Sequence, residues 1–184
     1  MGVRHKRRDG RHTITRKNSA IEIRQKLLFG RGPLVEWEGA PGVVRSFIFA
    51  ACSAAADVDL SREETVRLLL RRLGELKERA DKAAAWLADR TEHVDLAAAR
   101  FESELVGGDG ALFHRDSATS PVVDFLAGIA RSARAAEITP EEALVVLRRR
   151  SRELAEAAGR ALEIVAALDA NPSHSAEWSD ETRP

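Results

Sequence analysis

SREETVRLLLRRLGELKERADKAAAWLADR (residues 61–90) and TPEEALVVLRRRSRELAEAAGRALEIVAAL (residues 139–168) decide the fold of this chain. In the first stretch Val66, Leu69, Leu73, Leu76, Ala80, Ala83 and Leu87 recur at alternating steps of three and four. In the second, Leu144, Leu147, Ser151, Leu154, Ala158, Ala161, Val165 and Leu168 do the same. That spacing keeps one seam on one side of a long helix, as in coiled coils and antiparallel bundles. Each stretch also opens on a capping pair, Ser61 with Glu64 and Thr139 with Glu142, in which hydroxyl and carboxylate satisfy each other's free backbone amides. Pro140, with its φ already helical, sharpens the second start. Gly74 interrupts the first seam at a cost of ~1 kcal/mol relative to Ala, and is expected to mark close packing.

Working outward, each seam helix follows a shorter apolar one. Behind Pro41, residues 43–56 are apolar nearly all round, as a helix buried on most faces requires; behind Ser120, residues 121–136 repeat the pattern. Ser19 and Glu22 form a third capping pair and predict a short helix over 20–29, ended by Gly30, Gly32 and Pro33. The loop that follows reaches Pro41, with Trp37 expected to anchor it on the core. The first seam should break near 89–91; Val94, Ala97, Phe101 and Leu105 restore it until Gly107, Gly108 and Gly110. Residues 107–120 read as a linker, and Asn171 with Pro172 stops the last helix.

The two halves match without a gap at an offset of 78 residues. Over residues 43–90 the identities are Val44, Phe47, Ala55, Glu63, Glu64, Leu69, Arg71, Arg72, Glu75, Leu76, Glu78, Ala80, Ala83 and Ala88, each found again 78 positions later. Helices rich in Ala, Leu, Arg and Glu produce some such matches by chance. Setting aside Ala and Leu still leaves eight, with Phe, Val and the ordered caps among them, so duplication is the favoured reading. A lone pair of helices leaves most of its apolar stripe in water, whereas two units packed together form a four-helix core.

The composition agrees. Hydrophobic residues make up 44% of the 184, but aromatics only 5%, so the interior must be built from Ala, Leu and Val. Charge balances at 29 basic and 29 acidic residues but is unevenly placed. Residues 1–17 hold Arg4, Lys6, Arg7, Arg8, Arg11, Arg16 and Lys17 against Asp9 alone, whereas 169–184 are acidic. Cys52 is the only cysteine, which rules out an intrachain disulfide and a cysteine-based zinc site, and points to a reducing interior. The longest strongly apolar run, 46–56, is about half of the ~20 residues a membrane span needs.

Residue types that announce chemistry are scattered. His5, His12, His93, His114 and His174 have no second ligand at a helical metal-pair spacing; Glu92 and Asp95 beside His93 point elsewhere on a helix. Cys52 reads as a small core residue. Glu63 with Glu64 and Glu141 with Glu142 occupy first turns, where the helix dipole favours negative charge. His114, Asp116 and Ser117 lie together in a linker that fixes no triad geometry. Arg71 and Arg72, repeated as Arg149 and Arg150 and extended by Arg148 and Arg152, make basic ridges, but Glu75, Glu78, Glu153 and Glu156 stand where they would pair with them. Only the first 17 residues carry basic charge that is hardly compensated, the kind of cluster that attracts phosphates.

The sequence therefore predicts an all-α bundle of two duplicated helix-turn-long-helix units related by a pseudo-twofold axis, with a flexible basic N-terminal arm. Its expected segments are arm 1–18, short helix and loop 19–40, first unit 41–106, linker 107–120, second unit 121–170 and acidic tail 171–184. The expected role is non-enzymatic and nucleic-acid-associated or regulatory, with Arg4, Lys6, Arg7, Arg8, Arg11, Arg16 and Lys17 on DNA or RNA phosphates. The alternative is an assembly or adaptor protein acting through protein contacts or a homodimer. No cofactor, metal or membrane is expected, and the location is expected to be cytoplasmic.

Overall fold

The computed structural model describes residues 9–29, 38–90, 98–106 and 118–170. These form six helices and, among the described residues, no strand: α1 (Asp9–Phe29), α2 (Gly39–Asp57), α3 (Arg62–Asp89), α4 (Ala98–Val106), α5 (Thr119–Ala135) and α6 (Pro140–Ala170). The all-helical class is as expected.

The long helices α3 and α6 form the central pair. They run antiparallel, since Gly74 lies beside Leu162 and Gly159 beside Lys77. The seam positions Leu69, Leu73, Leu76, Ala80, Ala83 and Leu87 are fully buried, and so are Leu147, Leu154, Ala158, Ala161 and Val165. Helices α2 and α5 each pack on both long helices and on one another, which closes a four-helix core; α1 then lies on α2 and α4 on α5. At ~25 cal/mol per Å² of apolar surface removed from water, this core is the main stabilising term against chain entropy.

Local chemistry sets the helix ends. Ser61 Oγ accepts from the Glu64 amide at 3.3 Å while the Ser61 amide donates to Glu64 Oε2 at 2.7 Å. The Glu142 amide donates to Thr139 Oγ1 at 3.3 Å and the Thr139 amide to Glu142 Oε2 at 3.0 Å, so both predicted boxes form. The turns before them share one hydrogen-bond pattern. Val58, Asp59 and Leu60 donate to the carbonyls of Ala54, Ala56 and Ala55; Ala136, Glu137 and Ile138 donate to those of Ser132, Arg134 and Ala133, each 78 residues later.

Three expectations need correction. Helix α1 starts at Asp9, so residues 9–18, expected in a flexible arm, are helical; Ser19 lies inside the helix and opens nothing. Docking of Ile23, Leu27 and Leu28 supplies the nucleus, after which each further residue adds one hydrogen bond cheaply. Residues 1–8 are outside the described residues. Gly74 does not mark a contact that only glycine allows, because a Cβ there would lie 4.0 Å from Leu162 Cδ1, an ordinary packing distance. Helix α2 is longer than the 46–56 run suggested and is the one described helix long and apolar enough to cross a membrane. Val44, Ile48, Cys52 and Ala55 face the bundle core, whereas Ser46, Phe49, Ala50 and Ala54 are exposed, so α2 is buried along one face and not on most faces as expected. The predicted break holds: α3 ends at Asp89, with Arg90 extended behind it.

Candidate interaction surfaces

The seven basic residues singled out in the sequence divide into two groups. Arg4, Lys6, Arg7 and Arg8 lie outside the described residues. Arg11, Arg16 and Lys17 belong to α1, whose buried residues Ala20, Ile23, Leu27 and Leu28 fix its far end to the core. At 1.5 Å per residue, Arg11 and Lys17 stand about 9 Å apart along that axis. A continuous helix holds these three basic positions, in place of a free coil.

The arginine ridges are compensated only in part: Arg71 and Arg72 share Glu75, Arg149 and Arg150 share Glu153, while Glu78 pairs with Arg79 and Lys82 and Glu156 with Arg160. Arg72 Nη1 lies 2.8 Å and Arg71 Nε 3.9 Å from Glu75; Arg150 Nη1 lies 2.7 Å and Arg149 Nε 3.7 Å from Glu153. Arg148 leaves the ridge altogether. Its Nε donates to the Leu87 carbonyl at 2.8 Å and its Nη2 to the carbonyls of Ala88 and Arg90. Those are the terminal carbonyls of α3, which lack partners of their own within the helix, and a cation there also meets the negative end of the helix dipole. Arg152 stays exposed beside Val145, which is 63% exposed.

A groove of about 750 Å³ opens between α2 and α5 over α3. Val43, Phe47 and Ala51 form one wall, Pro121 and Phe125 the other, and Leu68 with Arg72 the base. Arg72 Cζ sits 5.4 Å from the Phe47 ring centroid, a cation–π distance, while its ion pair with Glu75 holds the guanidinium in place. Asp124 and Ser46 are exposed at the rim. Val43 and Pro121, Ser46 and Asp124, and Phe47 and Phe125 all stand 78 positions apart, so equivalent sequence positions face each other across the opening. Sequence reasoning missed the groove. Its trace was the Phe47–Phe125 identity, which periodicity alone assigns to the core.

Two buried groups complete the picture. Arg45 is 1% exposed on α2, where burial pushes its guanidinium below the usual range; Val123, 78 positions on in α5, is also buried. Burial pushes the Cys52 thiol up to about 11, against a smaller opposing pull from Arg24, so the thiolate that reactivity requires is suppressed. Among the described residues no three His, Cys, Asp or Glu side chains are placed to hold a metal ion. Of the five histidines only His12 falls on a described helix, α1; Trp37, Asp116 and Ser117 also lie outside the described residues. Comparison with protein-family models, with curated proteins and with solved structures found no match to this chain.

Proposed function

We propose that this chain is a non-enzymatic helical protein, built from two copies of one helix-turn-long-helix unit about a pseudo-twofold axis, that contacts nucleic-acid phosphates through Arg4, Lys6, Arg7, Arg8, Arg11, Arg16 and Lys17. The duplication is supported by the shared offset of 78 in turn hydrogen bonds, capping boxes and Arg–Glu bridges. The phosphate-binding role rests on one contrast: Arg71 and Arg72 share Glu75 and Arg149 and Arg150 share Glu153 a turn away, whereas residues 1–17 hold seven basic residues and one acid. Displacing counterions from a phosphate backbone is the favourable use of such a cluster.

The experiment is a salt titration of duplex DNA and RNA binding by the full chain and by a variant with all seven positions changed to Gln. If all seven act, log affinity falls against log salt with a slope of up to about −6 on duplex DNA, since each phosphate contributes about −0.9. The variant should lose most of that slope. Equal slopes, or no binding by the parent chain, end this reading.

A second reading, assembly through protein contacts, is favoured by the groove between α2 and α5. Its apolar walls, Val43, Phe47 and Ala51 on one side and Pro121 and Phe125 on the other, suit the same face of a second copy of the chain. Ala50 is exposed on the α2 wall, so Ala50→Glu should dissociate such a dimer without harming the fold. A monomeric mass for the parent chain by light scattering, with no co-purifying protein, ends this reading.

A further inference from the structure

Fixing the offset at 78 from α2, α3, α5 and α6 leaves no freedom to adjust how α1 and α4 compare. At that offset Ala20–Leu28, the end of α1 apart from Phe29, falls on Ala98–Val106, the whole of α4. Their buried faces coincide: Ile23 with Phe101 and Leu27 with Leu105. The helices dock on corresponding partners, α1 against α2 and α4 against α5, although α1 also reaches α3. The sequence between carries the same marks in the same places. Gly30, Gly32 and Leu34 recur as Gly108, Gly110 and Leu112, and the buried Ala40 recurs as the buried Ala118. Chance similarity of amphipathic helices explains a shared apolar period. It does not explain a common glycine spacing and a common docking partner at an offset chosen elsewhere.

We infer that the repeated unit has three helices, 20–90 and 98–168, so that the molecule is a fused pair in which each unit is the binding partner of the other. This rests on the duplication in the proposed function and extends it. The interaction surface of each unit is its long-helix seam, and the partner it fits is a second copy of that unit. Residues 1–19 then fall outside the repeat: their counterparts at the fixed offset, 79–97, are largely the end of α3. The basic segment is a single-copy addition to a symmetric body, so the full chain offers one such segment per molecule.

Two grafts in the full chain test this. In the first, residues 98–106 are replaced by the sequence of 20–28, keeping Glu104 because its 2.9 Å pair with Arg90 has no equivalent in α1. The expected result is one cooperative transition and native helicity, with Tm lowered by about 5 °C as Phe101→Ile gives up the 5.9 Å contact with Trp86. A control graft of residues 21–29, one register on, puts Arg24 at the buried Phe101 position and should abolish the transition. The second experiment exchanges the turn segments 57–61 and 135–139, which tests the hairpin equivalence alone. Loss of folding in the in-register graft, or equal damage from both grafts, with the turn exchange tolerated, overturns the three-helix unit and leaves the two-helix repeat. Loss of folding in the turn exchange overturns the duplication itself.

Discussion

Asp59 and Glu137 are the two non-glycine residues with positive φ among the described residues, at +55° and +56°, and they stand 78 positions apart. Each occupies the left-handed position that reverses the chain between a short apolar helix and a long one, where glycine is the usual choice. A side chain there costs roughly 1–2 kcal/mol, less for Asp, whose short polar group tolerates this region, than for Glu. Glu137→Gly should therefore stabilise the protein by up to about 1 kcal/mol, and Asp59→Gly by less, because Asp is the better tolerated of the two in this region. Urea unfolding of both variants checks the order.

Arg148 ties α6 to the end of α3 through the carbonyls of Leu87, Ala88 and Arg90. Arg148→Ala should cost about 1–2 kcal/mol, the scale of a charged group at a partly buried helix terminus. Hydrogen exchange should quicken selectively over the last turn of α3. Arg148→Lys should recover only part of the loss, since an ammonium lacks the planar fork that reaches several carbonyls. Uniform exchange across α3 in the Ala variant would contradict the capping role.

Gly74 and Gly159 sit inside the long helices with room to spare. A Cβ at Gly74 meets Leu162 Cδ1 at 4.0 Å, and one at Gly159 meets Lys77 Cε at 3.5 Å, both ordinary contacts. Each glycine thus gives up helix stability without a packing gain. Gly74→Ala and Gly159→Ala should each raise stability by about 0.5–1 kcal/mol, seen as a higher midpoint with an unchanged m-value. Loss of stability in Gly74→Ala would restore the close-packing role expected there from the sequence.

What the sequence carried well was the start of each long helix, where a capping pair stands directly before a seam. The seam spacing and two capping boxes located α3 and α6, whereas the same spacing at Ser19 and Glu22 lies inside α1 and opens no helix. The start of α1 was not legible: Asp9 to Asn18 has no apolar period, and its helicity comes from propagation out of a docked end. The role of Arg148 was also hidden, since its partners are carbonyls 58 to 61 residues away and no residue type announces them. The same holds for Arg45, a charge in an apolar helix whose burial depends on what packs over α2. The groove between α2 and α5 arises from the relative placement of helices, which periodicity does not encode.

Cys52 gives a pH dependence with a definite sign. Its thiol is raised from 9.0 to about 11 by burial, so between these values the unfolded chain gives up a proton that the folded chain keeps. The neutral thiol is accommodated at neutral pH without penalty, and stability falls as pH rises from about 9 towards 11. Cys52→Ala should flatten that part of the stability profile. In the parent chain, alkylation at pH 8 should follow the rate of opening and become fast only in denaturant. Rapid alkylation of the native protein would show an accessible thiolate.

Leu73 on α3 and Ser151 on α6 hold the same seam position in the two halves, and both are buried. Their substitution should separate hydrophobic packing from hydrogen bonding at matched depth. Leu73→Ala removes methyl groups from a filled core and should cost about 2–5 kcal/mol, depending on how far the neighbours relax. The Ser151 hydroxyl donates only to the Arg148 carbonyl one turn back in its own helix, at 3.0 Å. Ser151→Ala therefore strands no partner, because that carbonyl keeps its place in the helical ladder, and Ala is the better helix former. Its effect should stay within about 1 kcal/mol. Thermal unfolding of both variants measures the difference, and comparable losses would mean that Ser151 carries an interhelical contact beyond the bond to its own helix.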